Sequence, residues 1–358
     1  MASFAATQLE INSYAQNKLP IFHTHQCFYT RRSLEQCTSE RIATYKASQF
    51  KGNKILILAA GLGVDDWAFS FVFNEVLSVD PDEELNEIST YNFNRLERKN
   101  IQRLSLTAEA FLDTNKHAFD LVYVDPDRRT DANRQILLSQ HQPNIIKLIP
   151  KLKQISNCLL LKCSPMFDHE MAKREIDGIQ RIDILSYKGE VKEMLLLIDF
   201  KKPVIEDYEI RCVEVDKTSE RMISFSHSDN HIPLKSDKIS GYFYEASSGI
   251  IKIRKHHHYA FLKGLNLIDM AVPFYYSELK TDEFMGRCLH IKHVMSFQAK
   301  AFTNYLLENR IMKCNIKVRG LKFNTADVYK KTKVKEGGED YFFIFPYQEG
   351  TCIVHCRY

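Results

Sequence analysis

The chain contains 358 residues, of which 44% are hydrophobic and 26% are charged, and its formal net charge is +4 at pH 7. This composition is that of an ordinary soluble protein, and the length predicts two or three domains. No apolar run is long enough to span a bilayer, so we expect a cytoplasmic protein without a membrane partner. A net charge of this size does not establish a polyanionic partner.

The cysteines and histidines do not combine into a metal-binding pattern. The nine cysteines are an odd number and include no C-x-x-C pair, so we predict reduced thiols rather than disulfides or a zinc ribbon. No acid or cysteine cluster completes the histidine triplet at 256–258 or the pair His290 and His293. We therefore predict no metal. Cys163 is a conceivable nucleophile, but a place in the core is favoured.

The first part of the chain predicts a small helical cap followed by a sheet. Residues 33–50 predict a turn and a helix, with Thr38 as the N-cap and Glu40 in the first turn. Beyond them, short apolar runs alternate with longer polar segments, which is typical of repeated βα units. The predicted strands are 54–59, 75–80, 101–106, 119–125, 157–163, 181–187 and 193–200.

The last two of these strands are separated by only five residues, too few for a crossover helix, so we expect an antiparallel hairpin. Five parallel strands closed by such a hairpin predict an α/β fold, the Rossmann-like sheet of class I methyltransferases. After Lys201 the pattern changes to short alternating strands and turns. We predict a cap at 1–50, a sheet domain at 51–202, a ferredoxin-like α+β module at 203–295 and a final α+β domain at 296–358.

Successive strand ends carry residues suited to a nucleoside ligand. The first strand enters a turn in which Gly61 and Gly63 allow a tight bend and close approach of a ligand. The second strand ends in Asp80, whose carboxylate can accept both hydroxyls of a ribose. We predict that the ligand is held by these three turns: Ala59, Ala60, Gly61, Leu62, Gly63 and Asp65; Asp80 and Pro81; and Ala108 and Glu109, which face an adenine.

The fourth strand leads into the stretch VDPDRR, which places charge at the mouth of a buried strand. Asp125 is the candidate catalytic base and, with Pro126, a candidate ligand contact. Arg128 and Arg129 suit phosphate or carboxylate recognition, or equally a structural ion pair with a nearby aspartate. Ser164 is predicted to line the substrate side. This order of strand ends fits S-adenosylmethionine better than a dinucleotide, because nothing in the glycine turn needs to hold a pyrophosphate.

Longer motifs carry a resemblance from about residue 20 onward: SLEQCTSERIATYKA, AAGLGVD, VYVDPDRR, LKCSPMFD, GEVKEMLLLID, GYFYEASSGIIK and KVRGLKFNTADVYKKTKVKEGGEDYFFIF. In these stretches the sequence resembles a bacterial family of class I S-adenosylmethionine-dependent methyltransferases with a C-terminal THUMP-like domain. The resemblance implies S-adenosylmethionine as cofactor, transfer or ribosomal RNA as partner, a THUMP-like domain at 296–358 and a cofactor contact for Thr38.

The glycine turn departs from the usual pattern of such enzymes at two positions. Ile57 and Ala59 stand where an acid and a further glycine are expected. The acid ordinarily helps to hold the amino end of the cofactor. We therefore expect that another carboxylate, Asp65, compensates for it, or that cofactor binding is weak and methyl transfer has been lost.

The C-terminal region carries a basic segment. Its cations greatly outnumber its single acid, Asp327, and comprise Lys313, Lys317, Arg319, Lys322, Lys330, Lys331, Lys333 and Lys335. With Phe323 and Tyr329 as candidate stacking platforms, this segment predicts RNA binding through Lys330, Lys331 and Lys333. The alternative is a solvated charged face.

Two classes of function remain open on the sequence. The first is an RNA methyltransferase whose C-terminal modules hold the substrate. The second is a non-catalytic RNA-binding or assembly protein with a degenerate methyltransferase fold, and a small-molecule methyltransferase is a third option. The methylated atom and the oligomeric state are not predicted.

Overall fold

The computed structural model describes residues 11, 13–128, 138–235 and 238–358, with only the backbone described for Asp127 and Arg128. The chain divides into two compact units, Met1–His227 and Ser228–Tyr358. Within the described residues, no helix combines the length and the apolar character needed to cross a bilayer.

The first unit is built on a nine-stranded mixed sheet. In chain order its strands are β1 Gly52–Leu58, β2 Phe73–Val79, β3 Ile101–Leu104, β4 Leu121–Val124, β7 Cys158–Cys163, β8 Ile179–Tyr187, β9 Glu190–Asp199, β10 Glu209–Val215 and β11 Glu220–Ser226. The strands β5 Asp127–Arg128 and β6 His141–Gln142 form a separate two-stranded ribbon. The central strand β4 is buried along its whole length, as expected for a parallel strand that is covered on both faces.

The order of strands across the large sheet is β11-β10-β8-β9-β7-β4-β1-β2-β3. Strands β3, β2, β1, β4 and β7 run parallel to one another, and β9 pairs antiparallel with both β7 and β8. The predicted fold class and its antiparallel closing hairpin are therefore confirmed. The carboxyl ends of the five parallel strands meet at one edge of the sheet, where ligands of open α/β folds bind.

Helices of the first unit connect these strands and precede them. Their bounds are Pro20–Thr24, Arg31–Gln36, Glu40–Ser48, Val64–Phe69, Glu83–Arg95, Ala108–Thr114, Ile145–Ile155 and His169–Glu175, with a 3₁₀ turn at Leu138–Gln140. Side-chain caps fix several starts, since Asp82 accepts from the Leu85 N–H and Thr107 accepts from the Ala110 N–H. The helix Glu40–Ser48 begins after Ser39, so the predicted N-cap role of Thr38 is wrong.

The predicted boundary near Pro203 differs from the division of the chain at His227. Strand β10 pairs in parallel with β8, and β11 pairs antiparallel with β10, so both strands extend the large sheet. The pattern of β10 alternates buried and partly buried residues, as a strand near a sheet edge does. In the sequence, this pattern is typical of the start of a new domain. Only the pairing of β10 with β8 shows that the strand continues the large sheet.

The second unit contains a seven-stranded sheet in the order β13-β14-β12-β15-β18-β17-β16. Its strands are β12 Tyr242–Ala246, β13 Asn266–Leu267, β14 Phe274–Ser277, β15 Gly286–Ser296, β16 Lys313–Val318, β17 Lys335–Tyr347 and β18 Gly350–Arg357. Its helices are Ser248–Lys252, His256–Leu262, Ala299–Glu308 and Thr325–Thr332. Strand β15 pairs with β12 on one side and with β18 on the other, so one sheet continues across the predicted boundary between residues 295 and 296.

Candidate functional site

The carboxyl edge of the large sheet lines a cavity of about 1330 Å³. The structure brings to this one cavity fourteen residues that the sequence singles out: Thr38, Ala59, Ala60, Gly61, Leu62, Gly63, Asp65, Asp80, Pro81, Ala108, Glu109, Asp125, Pro126 and Ser164. They come from the turns and helix starts that follow β1, β2, β3, β4 and β7 and from the segment that precedes the helix Glu40–Ser48. The cavity is therefore a feature of the first unit alone.

The turn after β1 adopts a left-handed backbone at both glycines, with φ of +57° at Gly61 and +80° at Gly63. A Cβ atom at Gly61 would project into open space, whereas one at Gly63 would lie 2.5 Å from the Phe93 ring. Ala59 also has a positive φ of +56°, a conformation that L side chains rarely adopt. Gly61 therefore leaves room on the cavity side, and Gly63 permits close packing on the core side.

Asp80 connects the end of β2 to this turn. Its two carboxylate oxygens accept hydrogen bonds from the backbone N–H of Gly61 at 2.8 Å and of Asp82 at 3.1 Å. An ionised carboxylate offers about four acceptor positions, so both oxygens can still accept from a ligand. The side chain is thus fixed in place by the backbone before any ligand binds.

Arg103 on β3 supports the glycine turn from within the protein. Its guanidinium donates to the carbonyl oxygen of Gly61 at 2.7 Å and to the Asp66 carboxylate at 2.8 Å. Asn86 accepts two further bonds from the same group. Burial raises the pKa of Asp66, and the nearby guanidinium opposes that shift. One buried guanidinium therefore fixes the conformation of the turn relative to β3.

Five charged side chains form a cluster beside the turn, which we call the buried ion network: Lys46, Asp65, Asp125, Lys162 and Glu193. Lys46 is fully buried, and its ammonium lies 3.0 Å from Asp65 Oδ1 and 2.7 Å from Glu193 Oε2. It also donates to the hydroxyl of Tyr123, which donates in turn to Asp65. Burial and the nearby Asp65 raise the pKa of Tyr123 well above its usual value, so its hydroxyl stays neutral.

The part of the network nearest the cavity is the ion pair of Lys162 with Asp125. The Lys162 ammonium lies 2.6 Å from Asp125 Oδ2 and donates to Thr38 Oγ1 at 3.1 Å, and Thr38 donates to Asp65 at 2.9 Å. Burial lowers the pKa of Lys162, but Asp125 and Glu193 outweigh burial and raise it overall. Burial similarly raises the pKa of Asp65, yet Lys46 and Lys162 together lower it. Two lysines and three carboxylates leave the network with one formal negative charge.

Ile57, one of the two unusual positions, and Asp65, the carboxylate expected to compensate for it, both have partners inside the first unit. Ile57 is fully buried in β1 and belongs to the core of the first unit. Both oxygens of Asp65, the carboxylate expected to compensate, are engaged with Lys46, Thr38 and Tyr123. Asp65 therefore acts inside the network, and Asp125 is the network carboxylate with more exposure to the cavity.

Of the other residues predicted on the substrate side, some line the cavity and others have no described side chain. Ser164 lines the cavity, and its hydroxyl accepts from the Met166 N–H, so it also shapes the turn after β7. Cys163 is buried, as favoured, and also borders the cavity. Arg128 lies in β5 with only its backbone described, and Arg129 lies outside the described residues. Within the described part of the chain, no group of three or more His, Cys, Asp or Glu side chains is placed to hold a metal ion.

Comparison with known proteins supports the resemblance through a family match and through two curated relatives. Residues 286–357 match the THUMP domain-like family. The chain carries a THUMP-like domain. It is also 23% identical over 172 residues, 48% of its length, to uncharacterized S-adenosylmethionine-dependent methyltransferases of two Mycobacterium tuberculosis strains, CDC 1551 and H37Rv. The match covers 46% of those proteins, so the chain spans about half the length of the curated relatives that it matches.

The fold has a solved counterpart that covers nearly the whole chain. A crystal structure from Porphyromonas gingivalis W83, provisionally described as a methyltransferase, aligns with a TM-score of 0.89 and 24% identity. The alignment covers 99% of this chain and 90% of that one. At 24% identity this alignment shows a shared fold. The resemblance to S-adenosylmethionine-dependent methyltransferases with a C-terminal THUMP-like domain is confirmed by the family match and the relatives from Mycobacterium tuberculosis.

The basic segment lies within the THUMP-like domain. Lys330 and Lys331 occupy the last turn of the helix Thr325–Thr332, Lys333 follows it, and all three are exposed. The two aromatic residues are partly buried against the core of the second unit. Phe323 stacks on Phe297, with ring centroids 5.2 Å apart, and the Tyr329 hydroxyl donates to the Cys314 carbonyl. Stacking of bases on the remaining ring surface stays a prediction.

Sequence reasoning missed most of the buried ion network and the arginine that supports the turn. The missed residues are Lys46, Arg103, Tyr123, Lys162 and Glu193. One signal was available: Lys162 interrupts the apolar strand CLLLKC near its carboxyl end. A lysine at such a position needs a partner at the end of a neighbouring strand, and β4 ends immediately before Asp125.

Proposed function

We propose that the chain is an S-adenosylmethionine-dependent methyltransferase. The observation that carries this proposal is the convergence of the glycine turn, Asp80, the start of the helix Ala108–Thr114 and Asp125 on one cavity. The residues fit the cofactor: Gly61 leaves open space beside the fixed Asp80 carboxylate, and the acidic and polar groups follow successive strand ends. The relatives from Mycobacterium tuberculosis support the same activity.

Each group has a distinct task in this proposal. Asp80 would accept hydrogen bonds from the ribose, while Ala108 and Glu109 would meet the adenine edge. The cofactor, when bound, supplies a methyl group that is already activated by the positive sulfur. The chain's own contribution is therefore mainly to position the reacting groups and to exclude water.

Asp125 was predicted to act as a base, and its surroundings favour a different role. The Lys162 ammonium, 2.6 Å from Asp125 Oδ2, donates a hydrogen bond to that oxygen and holds the carboxylate in place. We therefore propose that Asp125 serves as a fixed hydrogen-bond acceptor at the cavity wall. The nucleophile of the substrate then loses any proton to another group or to water.

Isothermal titration with S-adenosylmethionine and with S-adenosylhomocysteine tests the proposal without requiring a methyl acceptor. We expect saturable binding of both ligands at a stoichiometry of one per chain. Absence of binding at millimolar ligand would contradict the proposal and favour the second candidate, a non-catalytic RNA-binding or assembly protein. That candidate is suggested by Ile57 and Ala59 in the glycine turn. A methyl acceptor found only among small molecules would favour the third candidate, a small-molecule methyltransferase.

We propose RNA, of the transfer or ribosomal class, as the substrate, and the cytoplasm as the place of action. The THUMP-like domain and its exposed lysines support this proposal. Lysine side chains bind phosphates with release of counterions, which makes such binding strongly dependent on salt.

Replacing Lys330, Lys331 and Lys333 with alanine should weaken RNA binding and flatten its salt dependence. If all three contact phosphates, the slope of log affinity against log salt should fall by roughly 2 to 3. Filter binding or fluorescence anisotropy between 50 and 300 mM salt measures this slope. The matched control replaces three exposed lysines of the first unit, Lys99, Lys116 and Lys147. Equal slopes for the two triple variants would exclude a specific role for the helix Thr325–Thr332.

A further inference from the structure

The ion pair of Lys162 and Asp125 is placed to bind a ligand as well as to stabilise the fold. The two residues stand at the carboxyl ends of the neighbouring strands β7 and β4, and both line the cavity. The side chain of Asp125 is 34% exposed and that of Lys162 is 15% exposed. The pair is therefore the accessible end of a network that is otherwise closed.

The pair retains unused hydrogen-bonding capacity. A lysine ammonium has three donors, and those of Lys162 reach Asp125 Oδ2 and Thr38 Oγ1. Among the described residues, no third acceptor lies within hydrogen-bond distance of this ammonium, and no donor reaches Asp125 Oδ1. One donor on a cation and one acceptor on an anion thus stand side by side at the cavity wall.

Such a pair is complementary to a zwitterion. We propose that Lys162 donates to the α-carboxylate of the cofactor's amino-acid end and that Asp125 accepts from its α-ammonium. This assignment rests on the proposed function, and it gives the pair the task that the sequence predicted for Asp65. Asp65 is poorly placed for that task, because its side chain is only 9% exposed and three of its about four acceptor positions are taken by Lys46, Thr38 and Tyr123.

The cavity then has two halves, one for the adenosine and one for the amino-acid end of the cofactor. Asp80, fixed by the N–H groups of Gly61 and Asp82, serves the adenosine half. Lys162 and Asp125 serve only the amino-acid half. A ligand that lacks the amino-acid end should therefore depend on Asp80 and be indifferent to the ion pair.

The test compares S-adenosylhomocysteine with 5′-methylthioadenosine, a thioether that has the same adenosine but no amino-acid end. Titration calorimetry of the full chain should show a clear preference for S-adenosylhomocysteine. In Lys162→Met and Asp125→Asn that preference should fall roughly 10-fold to 100-fold, with little change in the affinity for 5′-methylthioadenosine. Asp80→Asn should weaken the binding of both ligands to a similar extent.

Thermal unfolding of each variant, and a second substitution, Lys162→Arg, separate a binding role from a structural one. Lys162→Arg keeps the positive charge and should retain more of the preference than Lys162→Met. An unchanged preference in folded Lys162→Met and Asp125→Asn would overturn the assignment. So would equal affinity of the unmodified protein for the two ligands. If the unmodified protein binds neither ligand, the proposed function itself fails.

Discussion

Replacing Lys46 with methionine is expected to lower the free energy of unfolding of the first unit by about 3 to 5 kcal/mol. Methionine fills much of the space of the lysine stem, so the change removes a charge without opening a large cavity. It leaves Asp65 and Glu193, both largely buried, without the ammonium that lies between them. Urea denaturation at pH 7, followed by circular dichroism, measures the loss.

A surface ion pair supplies the matched control. Lys151 pairs with Asp113, and both side chains are well exposed to solvent. Lys151→Met should therefore change the free energy of unfolding by no more than about 1 kcal/mol. The double variant Lys46→Met, Asp65→Asn should recover part of the loss, because it removes one of the unpaired carboxylates. Similar stabilities for Lys46→Met and Lys151→Met would show that the network is not a major source of stability.

The same network predicts how stability depends on pH. The pKa of Asp65 is lowered in the folded protein, despite burial, by Lys46 and Lys162. A carboxylate with a lowered pKa stabilises the fold above its unfolded pKa, near 3.9, and this contribution is lost as the pH falls through the folded value. The unmodified protein should therefore lose this stability below about pH 4. In Lys46→Met the loss attributable to Asp65 should be smaller.

Replacing Asp80 with alanine is expected to weaken binding of S-adenosylhomocysteine by about 100-fold or more. Two charge-assisted hydrogen bonds to the ribose are worth about 1.5 to 3 kcal/mol each. The substitution also leaves the N–H of Gly61 without its acceptor and loosens the turn that borders the ligand. Titration calorimetry measures the change, and Asp113→Asn on the exposed surface is the control. Affinity within two-fold of the unmodified protein would remove Asp80 from the site.

Several elements of the fold follow from local patterns in the sequence. Continuous apolar runs correctly predict β1, β4 and β7 because parallel strands are buried on both faces. The short connection between β8 and β9 correctly predicts their antiparallel pairing. The place of strand β10 in the sheet cannot be predicted in this way. Its neighbour in the sheet, β8, is set by contacts between distant parts of the chain, which no local pattern contains.

The candidate site likewise contains residues that the sequence predicts and residues that only the structure reveals. Residues that follow strand ends are predictable, because strand order places them at one edge of the sheet. The buried ion network is not predictable, because its members come from separate elements: Lys46 lies in a helix that precedes β1, whereas Lys162 and Glu193 lie in β7 and β9. For Phe323 and Tyr329, the sequence shows aromatic rings among lysines, but only the packing shows that Phe297 and the backbone near Cys314 already engage them.

The position of Lys46 has a consequence for any attempt to isolate the first unit of the chain. Lys46 and Thr38 precede β1, in the segment predicted as a separate cap, yet they neutralise or bridge charges that belong to the sheet. A recombinant fragment that starts at Gly52 would expose Asp65 and Glu193 to each other without an intervening cation. Trimming designs should retain the chain from Ile11 onward, because Ile11, Ala15 and Leu19 are buried in the core of the first unit. They should stop after His227, so that β10 and β11 stay in place.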